Sequence, residues 1–427
     1  MPTRHRPNAS TVYPAVETAG GVLATLFGTV FSVYLIVEGG LSPFRLLILG
    51  TVLELSILVF EVPTGVLADV VSRRLSVIVG MAIIGVGFTL TGSVPVFAWL
   101  VVGSLLWGLG ETFVSGAYEA WITDEVGEEA ATQLYVRGAQ AWQAGALAGI
   151  PLAVAFGAID LGLPLIASGV GHLVLALALV VAMPEEHFHR APDGERKRLS
   201  GTFRDGVREV RSGHVLMLVL IVAALHGMAT EGFDRLSQLH LLEGTSFPAV
   251  GQLGLVVWFG VIEAVSLILA IIAAEILKRR ADLASHAGIT RVLAWIDGAL
   301  VVSVVVFAFA GAFWLALGLF WTVAFLREIR EPVFTAWLNR GLDPATRATV
   351  NSFAGQMDAV GQIGGGPTMG AVSVWFGVPA AIAVGGLLRA PAMALYARAL
   401  RRGEPPGEAP DVEVPPHIEI TGMPNPD

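Results

Sequence analysis

The stretch Gly65-Val66-Leu67-Ala68-Asp69-Val70-Val71-Ser72-Arg73-Arg74 lies between two apolar runs, residues 44–67 and 75–94. Each run is about the 20 residues that a helix needs to cross the roughly 30 Å hydrocarbon layer of a bilayer. The polar turn between them is the place where the chain leaves the layer and re-enters it. Two charged arginines open the second run, where a membrane–water interface holds them at small cost.

Working outward, further runs follow at 19–38, 96–122, 132–157 and 163–183, then at 213–241, 249–277, 290–310, 313–338, 347–374 and 378–399. The count is twelve, and the fold class expected is an all-α membrane protein. Composition agrees: 54% of the 427 residues are hydrophobic and 14% charged, against roughly 25% charged in a soluble domain. Mean hydropathy is +0.71. The absence of cysteine excludes disulfides and thiolate metal sites. The nine histidines fall in no ligand spacing, so neither a metal nor a cofactor is expected, and the net charge of −9 argues against nucleic acid as a partner.

The organisation expected is a leader at 1–18, a first bundle at 19–183, a central loop at 184–212, a second bundle at 213–402 and a disordered acidic, proline-rich tail at 403–427. No cleavage site follows the first run, which is therefore expected to stay in the membrane. The loops holding Arg73 and Arg74, Arg196 to Arg211, Lys278 to Arg280 and Arg340 all fall on one side, with Arg401 and Arg402; Arg45 is the exception. The positive-inside rule then places both termini in the cytoplasm of a cell with an inner membrane. The halves echo each other at an offset of 216: Trp121 with Trp337, Gln140 with Gln356, Gly149 with Gly365 and Pro151 with Pro367. Duplicated six-helix bundles that rock about a shared centre produce such a repeat.

Gly65, Asp69, Arg73 and Arg74 resemble the signature loop of the major facilitator superfamily, although Val70 and Ser72 depart from its pattern. The resemblance implies two pseudo-symmetric six-helix bundles, a transport function and a gating role for this loop, with Gly65 allowing close helix approach. Spans five and eleven carry Gly145-x-x-x-Gly149-Ile150-Pro151 and Gly366-Pro367-x-x-Gly370. These are similar to the glycine–proline motif of the superfamily's drug/proton antiporters, and equally suit ordinary membrane-helix packing. The arginine that those antiporters carry in span four is absent, with Ser104 near its place.

Charges inside the hydrocarbon are costly and mark function. Glu54, Glu61, Glu111, Glu231, Asp234, Glu263, Asp297, Glu328, Glu331 and Asp358 fall within the spans, against Arg235, Arg327 and Arg330. The 216 offset maps Glu111 onto Arg327, so these two, with Asp358, are expected to form a coupling or substrate site, or else a structural ion pair. In span seven Glu231, Asp234 and Arg235 share a broad face, with Asp234 and Arg235 pointing apart. Glu61 stands above the signature loop. The function expected is transport of a small molecule by a monomer in the bilayer: proton-coupled efflux of a hydrophobic or cationic compound, or proton-coupled uptake of a metabolite. A membrane sensor or enzyme is the outside possibility, and no nucleophile–base pair supports one.

Overall fold

The computed structural model describes residues 7–188, 214–245, 248, 254–280, 286–339 and 344–402. The central loop beyond 188, the tail from 403 and Arg340 lie outside the described residues. Thirteen helical segments are described: α1 (Ala9–Val37), α2 (Pro43–Val70), α3 (Arg73–Ser93), α4 (Phe97–Val126), α5 (Glu128–Gly157), α6 (Gly162–Ala182), α7 (His214–Gly244), α8 (Gly254–Arg280), α9 (His286–Ala308), α10 (Phe313–Leu338), α11 (Pro344–Phe376), α12 (Val378–Leu387) and α13 (Ala390–Arg402). Helix α1 starts at Ala9, ahead of the apolar run, because Asn8 caps it by accepting from the Ser10 N–H at 3.0 Å.

The last span is broken. Pro391 supplies no N–H, and α12 ends at Leu387 with Leu388 and Arg389 closing short turns onto Val384, Gly385 and Gly386. Among the described residues eight stretches are long and apolar enough to cross a membrane, α12 and α13 together forming one of them. The four long helices outside that set, α5, α7, α10 and α11, carry Arg137, Glu231, Asp234, Arg235, Arg327, Arg330 and Asp358. They match the others in length.

The contacts repeat after six helices. In the first half α1 packs on α5, α3 on α4 and α6, and α2 on α4; in the second α7 packs on α11, α9 on α10 and α12, and α8 on α10. The repeat extends to single residues. Gly145 abuts the Thr18 carbonyl and Gly149 that of Val22, while Gly361 abuts Ala224 and Gly365 abuts Met228. Gly21 lies against the backbone of Trp142, and Gly227 against that of Asp358. All these pairs obey offsets of 206 on α1 and α7 and 216 on α5 and α11.

The halves meet through α2 with α11 and α7, and α5 with α8. Gly366 sits against Leu47 and Thr51, Gly370 against Phe44, Gly157 against Val256, and Gly260 against Val154. Every one of these approaches is at the end remote from the chain termini. One apolar core spans both halves there, including Phe27, Leu47, Leu236, Phe259 and Met369. At the signature-loop end the core is split in two: Tyr13, Trp121 and Leu179 belong to one cluster, Val222, Trp337 and Tyr396 to another. The molecule is therefore sealed at one end and cleft at the other.

The glycines expected to pack helices do so, with a division of labour. Gly145 and Gly149 lie within the first half, whereas Gly366 and Gly370 lie on the seam. Pro151 and Pro367 stand inside α5 and α11. Gly65 differs from expectation: open space surrounds the position of a Cβ there. On α2 the tight approach is made at Gly50 instead, against Arg235.

Candidate functional site

The centre of the seam is charged. Arg235 on α7 lies 3.9 Å from Glu54 on α2 and 3.7 Å from Glu231, one turn back on its own helix. One guanidinium is thus shared between a carboxylate of each half. Gly50 makes the space that this guanidinium fills, since a Cβ there would come within 2.8 Å of Arg235 Cζ. Asp234 points away from Arg235's carboxylates and takes both Nη groups of Arg327 on α10, one of these bonds at 3.0 Å.

That pairing corrects the expected union of Glu111 with Arg327. Glu111 on α4 accepts instead from Trp107 Nε1 at 3.1 Å, within its own helix. Residues equivalent by the repeat stand on opposite walls of the centre, and each is taken by the nearer partner in its own half. A small cavity of about 70 Å³ separates the two pairs, lined by Phe31, Gly50, Ser104, Trp107, Asp234 and Arg235. The wall on the first-half side is aromatic: Phe27 stacks on Phe88 at 3.7 Å and on Phe31 at 4.6 Å, and Trp107 meets Phe27 edge-on at 5.2 Å. At the 206 offset the first half has Thr25, Gly28 and Thr29 where α7 has Glu231, Asp234 and Arg235. The halves share a frame and divide the chemistry, aromatic on one side and ionic on the other.

A second ionic cluster lies inside the second half. Asp297 on α9 accepts from Arg330 Nε at 2.8 Å and lies 3.6 Å from Arg389, at the break before α13. All three side chains are 1–5% exposed. Arg389 is a fourth arginine that the sequence reading overlooked. Next to this cluster, Arg330, Glu331, His226, Phe334, Asn351 and Asp358 line a cavity of about 410 Å³ between α7, α10 and α11. Asp358 joins this cavity and takes a hydrogen bond from Gln362 at 2.8 Å. Glu61 stands apart from both clusters, exposed on the cleft-side end of α2.

The signature loop forms a network of its own. Arg73 pairs with Asp69 at 3.3 Å and with Asp124 at the end of α4, and it donates to the Ala120 carbonyl at 3.0 Å. The carboxylate of Glu185, just past α6, sits on the start of α3, taking the Ser72 hydroxyl at 2.7 Å and the Arg74 N–H at 2.9 Å. A carboxylate on a helix N-terminus faces its unpaired N–H groups and the positive end of its dipole. Trp121 Nε1 donates to the Pro184 carbonyl at 2.6 Å, so the chain leaving α6 is tied across α3 and α4. The one arginine at the sealed end, Arg45, stacks over Phe97 at 5.2 Å.

Comparison with known proteins places this arrangement. A sequence model of the Major Facilitator Superfamily matches residues 17–354. An uncharacterised MFS-type transporter of Bacillus subtilis (strain 168), YxaM, is 21% identical over 378 residues, which cover 87% of this chain and 91% of that protein. Among solved structures, a bacterial homologue of the human lysosomal transporter Spinster superposes with a TM-score of 0.71 at 15% identity, covering 94% of this chain and 98% of that one. The nucleoside transporter NupG gives 0.70 at 14%, covering 93% and 99%. A POT family transporter in complex with a thioalcohol-conjugated peptide gives 0.68 at 13%, covering 92% and 96%. At these identities the likeness is one of fold.

Proposed function

The chain belongs to the Major Facilitator Superfamily of membrane transporters, and from there we propose that it moves a small molecule by alternating access in exchange for protons. In this reading it is a monomer in the inner membrane with both termini and the signature loop in the cytoplasm. The conformation described above is then the inward-open one, and its cargo is a hydrophobic or cationic compound bound for the outside.

The observation that carries the reading is Arg235, shared across the seam by Glu54 and Glu231. Rocking the halves apart at the sealed end requires the bond to Glu54 to break. Around this centre the carboxylates of Glu54, Glu111, Glu231 and Asp234 outnumber the guanidiniums of Arg235 and Arg327. Uncompensated charge away from water is costly, so protons or a cation are needed to balance it. A proton added at Glu54 or Glu231 loosens the hold on Arg235 and favours opening outward. The aromatic wall of Phe27, Phe31 and Trp107 supplies a surface for an apolar or cationic body. The Asp69–Arg73–Asp124 network keeps α2, α3 and α4 rigid as one gate element.

The experiment is counterflow in liposomes. An acid lumen should drive a cationic dye inward through the reconstituted protein, and Glu231→Gln should abolish the response to the gradient while leaving downhill exchange. Cargo moving with protons rather than against them would make the protein an uptake symporter. Transport indifferent to the gradient would end the coupling proposal.

A further inference from the structure

We propose that the cavity between α7, α10 and α11 binds a small zwitterion with an apolar body, its carboxylate held by Arg330 and its ammonium by Asp358. The proposal rests on the transporter reading and goes beyond it, adding to the cargo met by the aromatic wall a compound that carries both charges.

Arg330 is positioned rather than free. Its Nε is fixed on Asp297 at 2.8 Å and its guanidinium lies over the Phe334 ring at 4.9 Å. Its Nη1 has no hydrogen-bond partner among the described residues, in a side chain only 3% exposed. The nearest carboxylate to that Nη1 is Glu331 at 3.5 Å, which is 66% exposed and can be displaced by a ligand. Asp358 has the complementary geometry. Gln362 fixes one carboxylate oxygen, while the other is buried and without a partner among the described residues. Buried polar atoms left unpaired are costly, and a ligand that pairs them recovers that cost on binding.

Both groups line one cavity of about 410 Å³, a size suited to a small organic molecule. Between them the walls are Ala223, Phe334, Leu338 and Ala354, which suit an apolar body. A pure anion would face Asp358 and Glu331, and a pure cation would face Arg330; a molecule with both charges satisfies both walls. Arg330 and Arg389 also share the buried carboxylate of Asp297, so that beside the cavity Arg330 is offset further only by the exposed Glu331. The repeat puts Trp142 at the place of Asp358, so the first half has no counterpart of this site.

The test uses the full chain in nanodiscs with three matched probes: phenylalanine, N-acetylphenylalanine and phenylalaninamide. Phenylalanine should bind, and each single-charge derivative should bind about tenfold or more weakly, the scale of one charge-assisted hydrogen bond. Asp358→Asn should erase the preference for phenylalanine over its N-acetyl form. Gly355→Leu should abolish binding without disturbing the fold, because Gly355 lines the cavity with open space where its Cβ would be. Either derivative binding as tightly as phenylalanine, binding that survives Gly355→Leu, or no binding of any probe would overturn the proposal. Spin-label distances across the two ends of the molecule separate this failure from that of the parent reading. Ends that still open in turn while no probe binds would remove the cargo assignment alone. Ends that never exchange would remove the transporter reading and the site with it.

Discussion

Glu54 and Arg235 stand 3.9 Å apart across the seam, one on each half, at the inner limit of the sealed end. A partly exposed pair of this kind contributes on the order of 1 kcal/mol, or roughly fivefold in a two-state population. Glu54→Gln should therefore shift the balance toward opening at the sealed end by about that factor. Spin-label distances between α2 and α11 at that end report it, and an unshifted distribution would show that the pair does not hold the halves together.

The seam glycines allow a direct lock. The chain contains no cysteine, so any introduced pair reports without background. A Cβ on Gly366 would lie 3.4 Å from that of Thr51, close to the roughly 3.5–4.5 Å spanned by a disulfide. Thr51→Cys with Gly366→Cys should crosslink on oxidation and stop transport, and a reductant should restore it. Failure to crosslink would mean that the helices are not in contact at this end.

Asp234 and Arg327 form a two-pronged pair about a third exposed to the cleft. Asp234→Asn leaves the arginine unanswered and should cost about 1–3 kcal/mol together with most transport activity. The exchange Asp234→Arg with Arg327→Asp should recover stability, read as the melting temperature in detergent. A double variant no more stable than the worse single one would mean that the pair is not coupled.

Among the described residues Asp297 is the one carboxylate holding both Arg330 and Arg389, the three side chains at 1–5% exposure. Asp297→Asn should destabilise the protein by about 3–5 kcal/mol, the cost of stranding a buried charge. Adding Arg389→Leu should recover a large part of that loss. Equal expression and melting of Asp297→Asn and the parent chain would contradict this assignment.

Glu185 caps α3 through Ser72 and the Arg74 N–H. Glu185→Gln keeps the shape and removes the charge, and should cost about 0.5–1 kcal/mol. A melting temperature lowered slightly, with cargo affinity unchanged, is the expected result. A large loss of affinity would instead place Glu185 in the binding machinery.

Much of this was legible in the residues. Apolar length alone placed α10 at its observed bounds, Phe313–Leu338, and most other spans within about five residues, but it missed the first ten residues of α1 and the break in the last span. The glycine contacts of the α1–α5 and α7–α11 interfaces follow the 216 offset found in the sequence on α5 and α11, and a 206 offset on α1 and α7 that the sequence reading did not give. Partners were less legible, because pairing depends on how each helix is rotated about its axis. Glu111 and Arg327 are equivalent by descent of the repeat, yet equivalence across a pseudo-twofold axis does not imply contact. Arg389 was hidden by its surroundings: it follows an apolar run and precedes basic residues that read naturally as an interfacial flank. The signal that could have found it is Arg389-Ala390-Pro391, since Pro391 has to break the span and leaves the arginine inside it. At Gly65 the expected close approach is not made in this conformation, since nothing stands within 4 Å of the position of a Cβ.

The fused core at one end and the divided core at the other bear on the thermodynamics of the changeover. In the proposed rocking of the halves, separating Leu47, Leu236 and Met369 wets apolar surface at one mouth, while closing the cleft covers apolar surface at the other. Heat capacity tracks net apolar hydration. Because surface is traded rather than gained, the exchange should carry little heat-capacity change, and the ratio of the two states should vary with temperature along a nearly straight van't Hoff line.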